Sequence, residues 1–583
     1  MERPPPALAR SCAIATVVLL ARLATTTAVA VASSRDNNAS VDVVLPTAGT
    51  APSSTNVTAI CEPTPYPRAC ETALRSSPPP SSGRPHDHDV DPFAASVQFA
   101  MSRAASARAL ARNLSAASAG APPPGAEDCA ELLDITLDQL RDALAAGGGG
   151  GDPDGATTWL SAALTNQVTC ADSLAAGAGT GSSAGRDAMR SRVDALSQFI
   201  ATALALHVGK KRNSKAVAAG DDYRGGGSAG LPLPPSAGGA PPPPAAAFPS
   251  WVTRRDRKLL EAPAGASGGV AVDAVVALDG SGTHSSINEA IAAVVSGGGG
   301  DGTGRKVIHV KAGRYEESVT VSSKQKNVML VGDGKGKTVI VGHKSAADGY
   351  TTYASATVAA MGAGFIAKGL TIENNAGPGK GQAVALRVGG DLSVVYDCAI
   401  QAYQDTLYAH SNRQFYAASS IAGTVDFIFG NAAVVLQNCD IRPRRPHRGQ
   451  KDTVTAQGRT DPNQNTGISI HRCRVAADDL GGAPVFLGRP WQKYSRTVVM
   501  ETFLDGSISP AGWLEWSGGF ALSMLYYGEY GNTGPGAGTG KRVTWAGVHT
   551  SMSTSDATRF TVASFIMGDS WLGGTGVSYT SGL

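Results

Sequence analysis

Two carboxylates in this chain have the setting that ester chemistry needs. Asp405 lies in Gln404-Asp405-Thr406-Leu407-Tyr408, and Asp426 follows at a spacing of 21, in Gly423-Thr424-Val425-Asp426-Phe427-Ile428-Phe429-Gly430. Two carboxylates held close together cannot easily both ionise, so one pKa rises. A neighbouring cation decides which of them keeps its charge. Arg489, in Leu487-Gly488-Arg489-Pro490-Trp491, is the candidate cation. Gln404, and Gln382 in Gln382-Ala383-Val384-Ala385-Leu386, carry amide N–H donors suited to a developing oxyanion. The set fits acyl transfer at an ester. One carboxylate attacks, while the other protonates the departing alcohol and then activates water. An Asp ladder that only satisfies corner backbone groups would need neither the glutamines nor the arginine.

The elements that must position these groups show in the spacing. The surroundings are rich in Val, Ile, Phe, Tyr and Thr, with Gly and Asn at intervals, which marks short strands between turns. Gln382 precedes Gln404 by a step of 22. A second column, Cys398, Ser419 and Cys439, steps by 21 and 20. A shared period near 20 predicts a parallel β-solenoid, in which each coil stacks on the one before. Sandwiches keep no such period. If one coil takes one period, Asp405 and Asp426 sit on the same face, roughly 4.8 Å apart along the backbone stack.

The chain has 583 residues, which implies two or three domains, and a formal charge of +3, which gives no sign of a nucleic-acid binder. Residues 1–33 read as a secretory signal: Arg3 and Arg10 precede the apolar run Cys12 to Leu20, and Ala28-Val29-Ala30 and Ala30-Val31-Ala32 are small-x-small cleavage sites. Arg22 interrupts the apolar run, so no membrane span is expected in the mature form. The expected location is therefore extracellular, where cysteines pair. Four of them come early (Cys61, Cys70, Cys129, Cys170) and three late (Cys398, Cys439, Cys473). Spacing alone leaves three connectivities open for the first four. Asn38, Asn56 and Asn113 head glycosylation sequons.

Residues 55–207 read as an up-and-down bundle of four helices after a cysteine-bearing lead-in, with stripes at Phe93, Val97 and Met101, at Leu133, Leu137, Leu140 and Leu144, and at Met189, Val193, Leu196, Ile200 and Leu204. No acid, base or metal cluster converges there, so this region is expected to bind rather than catalyse. Residues 208–267 form a Pro/Gly-rich linker ending near the basic run Arg254-Arg255-Asp256-Arg257-Lys258-Leu259-Leu260, an expected processing site. Residues 268–583 form the β-rich unit, with a short helix around Ser285 to Ile291 that could cap the solenoid.

Two resemblances attach to these regions. Ile60-Cys61-Glu62-Pro63 through Cys70, then Cys129, then Trp159-Leu160-Ser161 through Asn166-Gln167-Val168-Thr169-Cys170, resemble the plant invertase and pectin methylesterase inhibitor family. That resemblance implies the pairs Cys61–Cys70 and Cys129–Cys170. The motifs around Gln382, Gln404-Asp405 and Asp426, with Val454-Thr455-Ala456-Gln457-Gly458-Arg459 and Leu487-Gly488-Arg489-Pro490-Trp491, resemble the pectin methylesterases of plants. This second resemblance implies a right-handed parallel β-helix. It implies Asp426 as nucleophile, Asp405 as general acid then base, Gln382 and Gln404 at the oxyanion, and Arg489 orienting Asp426. It also implies sugar contacts at Thr352 and Trp491, and neither cofactor nor metal; Trp491 and Tyr408 carry aromatic faces that would pack on pyranose rings. The implied partners are methylated polygalacturonate, the chain's own inhibitor-like domain, separate inhibitor proteins and a processing protease. Arg257-Lys258-Leu259-Leu260 resembles the family's processing site, with Lys at the second basic place.

The implied activity is that of a secreted carboxylic ester hydrolase in the cell wall. A catalytically silent wall-binding or inhibitor protein is the alternative. The second resemblance implies a disulfide between the positions of Ser419 and Cys439, which Ser419 rules out here, and Cys398 lies two coils, roughly 10 Å, from Cys439, too far to substitute. Three unpaired, mostly buried thiols are expected in the β-rich unit.

Overall fold

The structure, a computed structural model, describes residues 54–76, 91–116, 125–147, 154–176, 183–221, 272–296 and 304–583. The signal segment, most of the linker and its basic run lie outside these residues.

Short strands rich in branched side chains build three parallel sheets of 11, 7 and 8 strands. The chain visits the sheets in rotation, so each strand pairs with its counterpart one coil later, and the product is a parallel β-helix. The seven-stranded front sheet contains Val358–Ala360, Leu386–Val388, Leu407–Ala409, Ile428–Gly430, Asp452–Gln457 and Val485–Gly488. Leu386 pairs with Leu407, and Leu407 with Ile428, each a step of 21 that matches the period in the sequence. Beyond Ile428 the partners are Thr455 and then Gly488, steps of 27 and 33. Loops inserted around 444–451 and 476–484 lengthen those coils and hide the period.

Side chains alternate across each strand. Val358, Leu386, Leu407 and Ile428 point inward into one continuous core. Arg387, Tyr408 and Phe429 occupy the intervening positions, and Tyr408 and Phe429 stack face to face at 4.2 Å outside that core.

One corner explains the second column. Asp397, Ala418, Asn438, Arg472 and Glu501 all have φ between 49° and 54°. This left-handed step is uncommon for residues other than glycine. The residue after each is Cys398, Ser419, Cys439, Cys473 or Thr502, and these stack as a ladder. The Cys398 N–H donates to Ser419 Oγ (3.1 Å), that of Cys439 to Cys473 Sγ (3.4 Å), and that of Cys473 to Thr502 Oγ1 (3.2 Å). Cys398, Cys439 and Cys473 are buried and unbonded. Ser419 accepts the hydrogen bond that a neighbouring rung leaves to sulfur.

The helical part comprises α1 (Ser54–Cys61), α2 (Pro67–Arg75), α3 (Pro92–Ala116), α4 (Ala126–Gly147), α5 (Gly155–Ala176) and α6 (Ser183–Asp221). Cys61 bonds Cys70, and Cys129 bonds Cys170. The first bridge ties the lead-in helices together, and the second ties α4 to α5. Phe93, Val97, Leu133, Leu137, Leu140, Met189, Val193, Leu196, Ile200 and Leu204 are buried, while Met101 and Leu144 pack at the margin. Helix α6 runs to Asp221, past position 207, because Lys210-Lys211-Arg212 and Ala216-Val217-Ala218-Ala219 contain no proline to stop it. A further helix, α7 (Ile287–Ser296), sits at the start of the β-helix, and Glu317 caps it by accepting from the N–H groups of Ile287 and Asn288. No helix among the described residues is long and apolar enough to cross a membrane.

The ladder gives a stability test. Ser419→Ala leaves the buried Cys398 N–H without its acceptor and is expected to destabilise the protein by about 1–3 kcal/mol. Denaturant unfolding of the variant checks it, and an unchanged midpoint would contradict the role given to the column.

Candidate active site

Gln382, Gln404 with Asp405, and Asp426 lie just before three consecutive strands of the front sheet, so the same point of three coils faces one cleft. The Ala383 N–H donates to Gln404 O (3.2 Å), and the Asp405 N–H to Val425 O (3.0 Å), which locks the rungs in register. Asp405 and Asp426 have φ of 64° and 54°. Non-glycine residues in this region accumulate where surrounding structure over-determines them, often at functional sites.

Arg489 arrives from the end of a later strand, well beyond Asp426 in the chain. Gly488 beside it is required, because a Cβ there would stand 2.1 Å from Thr455 Oγ1. The Arg489 N–H donates to Thr455 O (3.0 Å), and the guanidinium grips the Asp426 carboxylate through both oxygens: Nε to Oδ1 at 2.8 Å and Nη2 to Oδ2 at 2.7 Å. This forked geometry is the strong form of an ion pair. Trp516 covers the guanidinium at 4.4 Å, so its charge is held between an anion and an aromatic face. Thr453 donates its hydroxyl proton to Asp426 Oδ1 at 2.6 Å.

Asp405 is almost fully buried, with 7% of its surface exposed. Burial pushes its pKa well above the usual carboxylate range, the Asp426 charge adds to this, and Arg489 opposes it. One carboxylate is thus paired with a cation, and its neighbour is biased toward the protonated form. His410, the imidazole under the same region, is pushed down to about 3 by burial and by Arg387, so it is neutral.

The residues expected in catalysis and in sugar contact lie together here. Thr352, Gln382, Gln404, Asp405, Tyr408, Asp426, Arg489 and Trp491 line one cavity of about 370 Å³. Thr351, Tyr353, Phe429, Ala456 and Trp516 line it as well, beyond those expected. Phe429 and Ala456 belong to motifs already singled out, and alternation along their strands places them outward beside Tyr408. Trp516 has no signal in the sequence, since its loop follows no period.

The remaining wall of the cavity comes from the helical part, through Thr169, Asp172, Ser173 and Ala176 of α5. This helix lies against the front sheet. Thr169 Oγ1 bonds His410 Nε2 (3.0 Å) and Tyr408 OH (3.3 Å). Asn431 donates to Thr165 Oγ1 (2.8 Å), Gln464 to Ser161 O (3.0 Å), and Asn465 to Thr158 Oγ1 (2.9 Å). Trp159 Nε1 donates to Asp391 (3.2 Å), and Thr351 to Asp128 on α4 (2.5 Å). Tyr408, Phe429, Val384 and Ala456 share one apolar cluster with the bundle core. The cleft is closed on that side by the chain's own N-terminal region.

The geometry can be set against known proteins. The family described as Pectinesterase matches residues 273–569, and that described as Plant invertase/pectin methylesterase inhibitor matches residues 55–206. "Probable pectinesterase/pectinesterase inhibitor 35" of Arabidopsis thaliana is 49% identical over 84% of this chain and 88% of its own length. "Pectinesterase 2" of Citrus sinensis is 45% identical over 90% of this chain and 94% of its own. The solved "Pectin methylesterase from Carrot" is 55% identical, covers 54% of this chain and 99% of its own, and superposes with a TM-score of 0.52. The fold and the cleft make this a parallel β-helix protein with two carboxylates and a guanidinium in one site. The chain belongs to the pectinesterase family and carries an inhibitor-type helical domain ahead of the pectinesterase domain.

The raised pKa of Asp405 has a stability consequence. A carboxyl whose folded pKa lies above its unfolded value penalises the fold once pH exceeds the unfolded value, and imposes no penalty below it. Asp405→Asn is therefore expected to raise the melting temperature at pH 7, with the gain vanishing near the ordinary carboxylate pKa of about 4. Melting curves at the two pH values check this, and an equal gain at both would contradict it.

Proposed function

We propose that this chain hydrolyses the methyl esters of pectin, leaving free galacturonate and methanol, through an acyl intermediate on Asp426. The observation that carries the proposal is the Asp426–Arg489 fork beside the buried Asp405 carboxyl in one cleft. In the first half-reaction, an Asp426 oxygen bonds to the ester carbonyl carbon. The carbonyl oxygen gains negative charge, and the Gln382 and Gln404 amides donate to it. The carbon–methoxy bond then breaks as Asp405 gives its proton to the leaving oxygen, and methanol departs. In the second half, Asp405, now a carboxylate, takes a proton from water. That water adds to the acyl carbon, the bond to Asp426 breaks, and the free acid leaves. Tyr408, Phe429, Trp491 and Trp516 supply aromatic faces for pyranose rings, and Thr352 a polar contact at the other end of the cleft.

The N-terminal domain holds the enzyme inactive in this reading, because α5 occupies the face of the front sheet that a polymer must cross. Residues 1–33 direct export to the wall, and cutting in the linker near Leu260 frees the bundle.

Asp426→Ala is expected to abolish methanol release from methylated pectin while the melting profile stays that of a folded protein. Retained activity would end the proposal. Reducing ends, measured alongside, should not rise, and a rise would point to chain cleavage instead. Protein cut in the linker is expected to exceed the full chain in methanol release, and equal rates would remove the inhibitory role.

A further inference from the structure

We infer that Thr453 is a positioning residue for the attacking carboxylate and that it selects Oδ2 of Asp426 as the atom that attacks. The inference rests on the reading of Asp426 as nucleophile given above.

Thr453 lies in the strand Asp452–Gln457, one coil beyond Asp426, and is fully buried. Its backbone is stitched to both sides of Asp426. Its N–H donates to Thr424 O (3.2 Å), and its O accepts from the Phe427 N–H (3.3 Å). Its hydroxyl closes a ring with the aspartate itself. Oγ1 accepts from the Asp426 backbone N–H at 2.8 Å, which leaves its one proton to be donated to Asp426 Oδ1 at 2.6 Å. One side chain therefore fixes both the left-handed backbone of Asp426 and the plane of its carboxylate. Thr455, further along the same strand, bonds Leu487 O instead (2.9 Å), so the strand's threonines are not interchangeable.

The consequence for reactivity follows from counting lone pairs. Each carboxylate oxygen offers two in-plane acceptor positions. On Oδ1 both are taken, by the Thr453 hydroxyl and by Arg489 Nε (2.8 Å). On Oδ2, Arg489 Nη2 (2.7 Å) takes one. The remaining pair on Oδ2 is the one that forms the bond to the ester carbon; the carbon–methoxy bond then breaks as the Asp405 proton goes to the methoxy oxygen. Thr453 keeps its own proton throughout. Without the hydroxyl, Oδ1 regains a lone pair and the carboxylate is held by the Arg489 fork alone, so the two can shift together. The attacking oxygen then leaves its aligned position, and small misplacements of reacting atoms cost large factors in rate.

The test uses the full chain and the same protein cut in its linker, with methanol release from methylated polygalacturonate as the readout. Thr453→Val keeps the shape and removes the hydroxyl. It is expected to lower kcat by about 10–100-fold with KM within about twofold. Thr453→Ser restores the hydroxyl and is expected to come back to within about threefold of the original kcat. A valine variant with unchanged kcat would overturn the inference. So would a serine variant as slow as valine, or a change confined to KM. If the valine variant does not fold, Thr453→Ala replaces it, with a melting curve to establish the fold, and the alanine–serine comparison decides the matter in the same way. Asp426→Asn separates the two levels. If it stays active, the reading of Asp426 falls and this inference with it. If it is dead while Thr453→Val is normal, only this inference falls.

Discussion

The chemistry of the cleft depends on the fork between Arg489 and Asp426. These residues are far apart in the chain and come from coils of different length, yet two hydrogen bonds of 2.8 and 2.7 Å join them. Only a scaffold that stacks coils in fixed register delivers a guanidinium to that point. The ion pair sets the asymmetry of the site. Asp426 faces a cation, and Asp405, one rung away, has its pKa raised first by burial and then by the Asp426 charge, which biases it toward the acid form. Two residues of the same chemical type thereby acquire opposite roles.

Much of this was legible in the sequence, because the coils that carry Gln382, Gln404, Asp405 and Asp426 contain no insertion. Leu386, Leu407 and Ile428 keep an even step, and the polar residues just before them inherit it. The second column was visible for the same reason, since Cys398, Ser419 and Cys439 share a corner with a common left-handed step. Position 419 shows what that column does. Its hydroxyl accepts the N–H of the rung before it, a task that needs a small side chain with a lone pair more than it needs sulfur.

Other features left no such trace. The steps to Thr455 and Gly488 are lengthened by insertions, so Arg489 could be nominated by its motif but not by period. Trp516 reaches the cleft from an aperiodic loop. The docking of α5 is invisible in its own pattern, because the helix is apolar or small on nearly every face. A helix buried all round gives no sign of which side meets the bundle and which meets a sheet from a distant part of the chain. Thr165, Thr169 and Ser161 look like interior packing residues in sequence and prove to bond residues of the β-helix.

The most direct test of the asymmetry is to locate the protons on the carboxylate pair. Neutron diffraction from a perdeuterated crystal of the full chain near neutral pH would do so. Deuterium is expected on Asp405, with a bare Asp426 carboxylate receiving two deuterons from Arg489 and one from Thr453. Deuterium on Asp426, or both carboxylates bare, would contradict the division of roles between them.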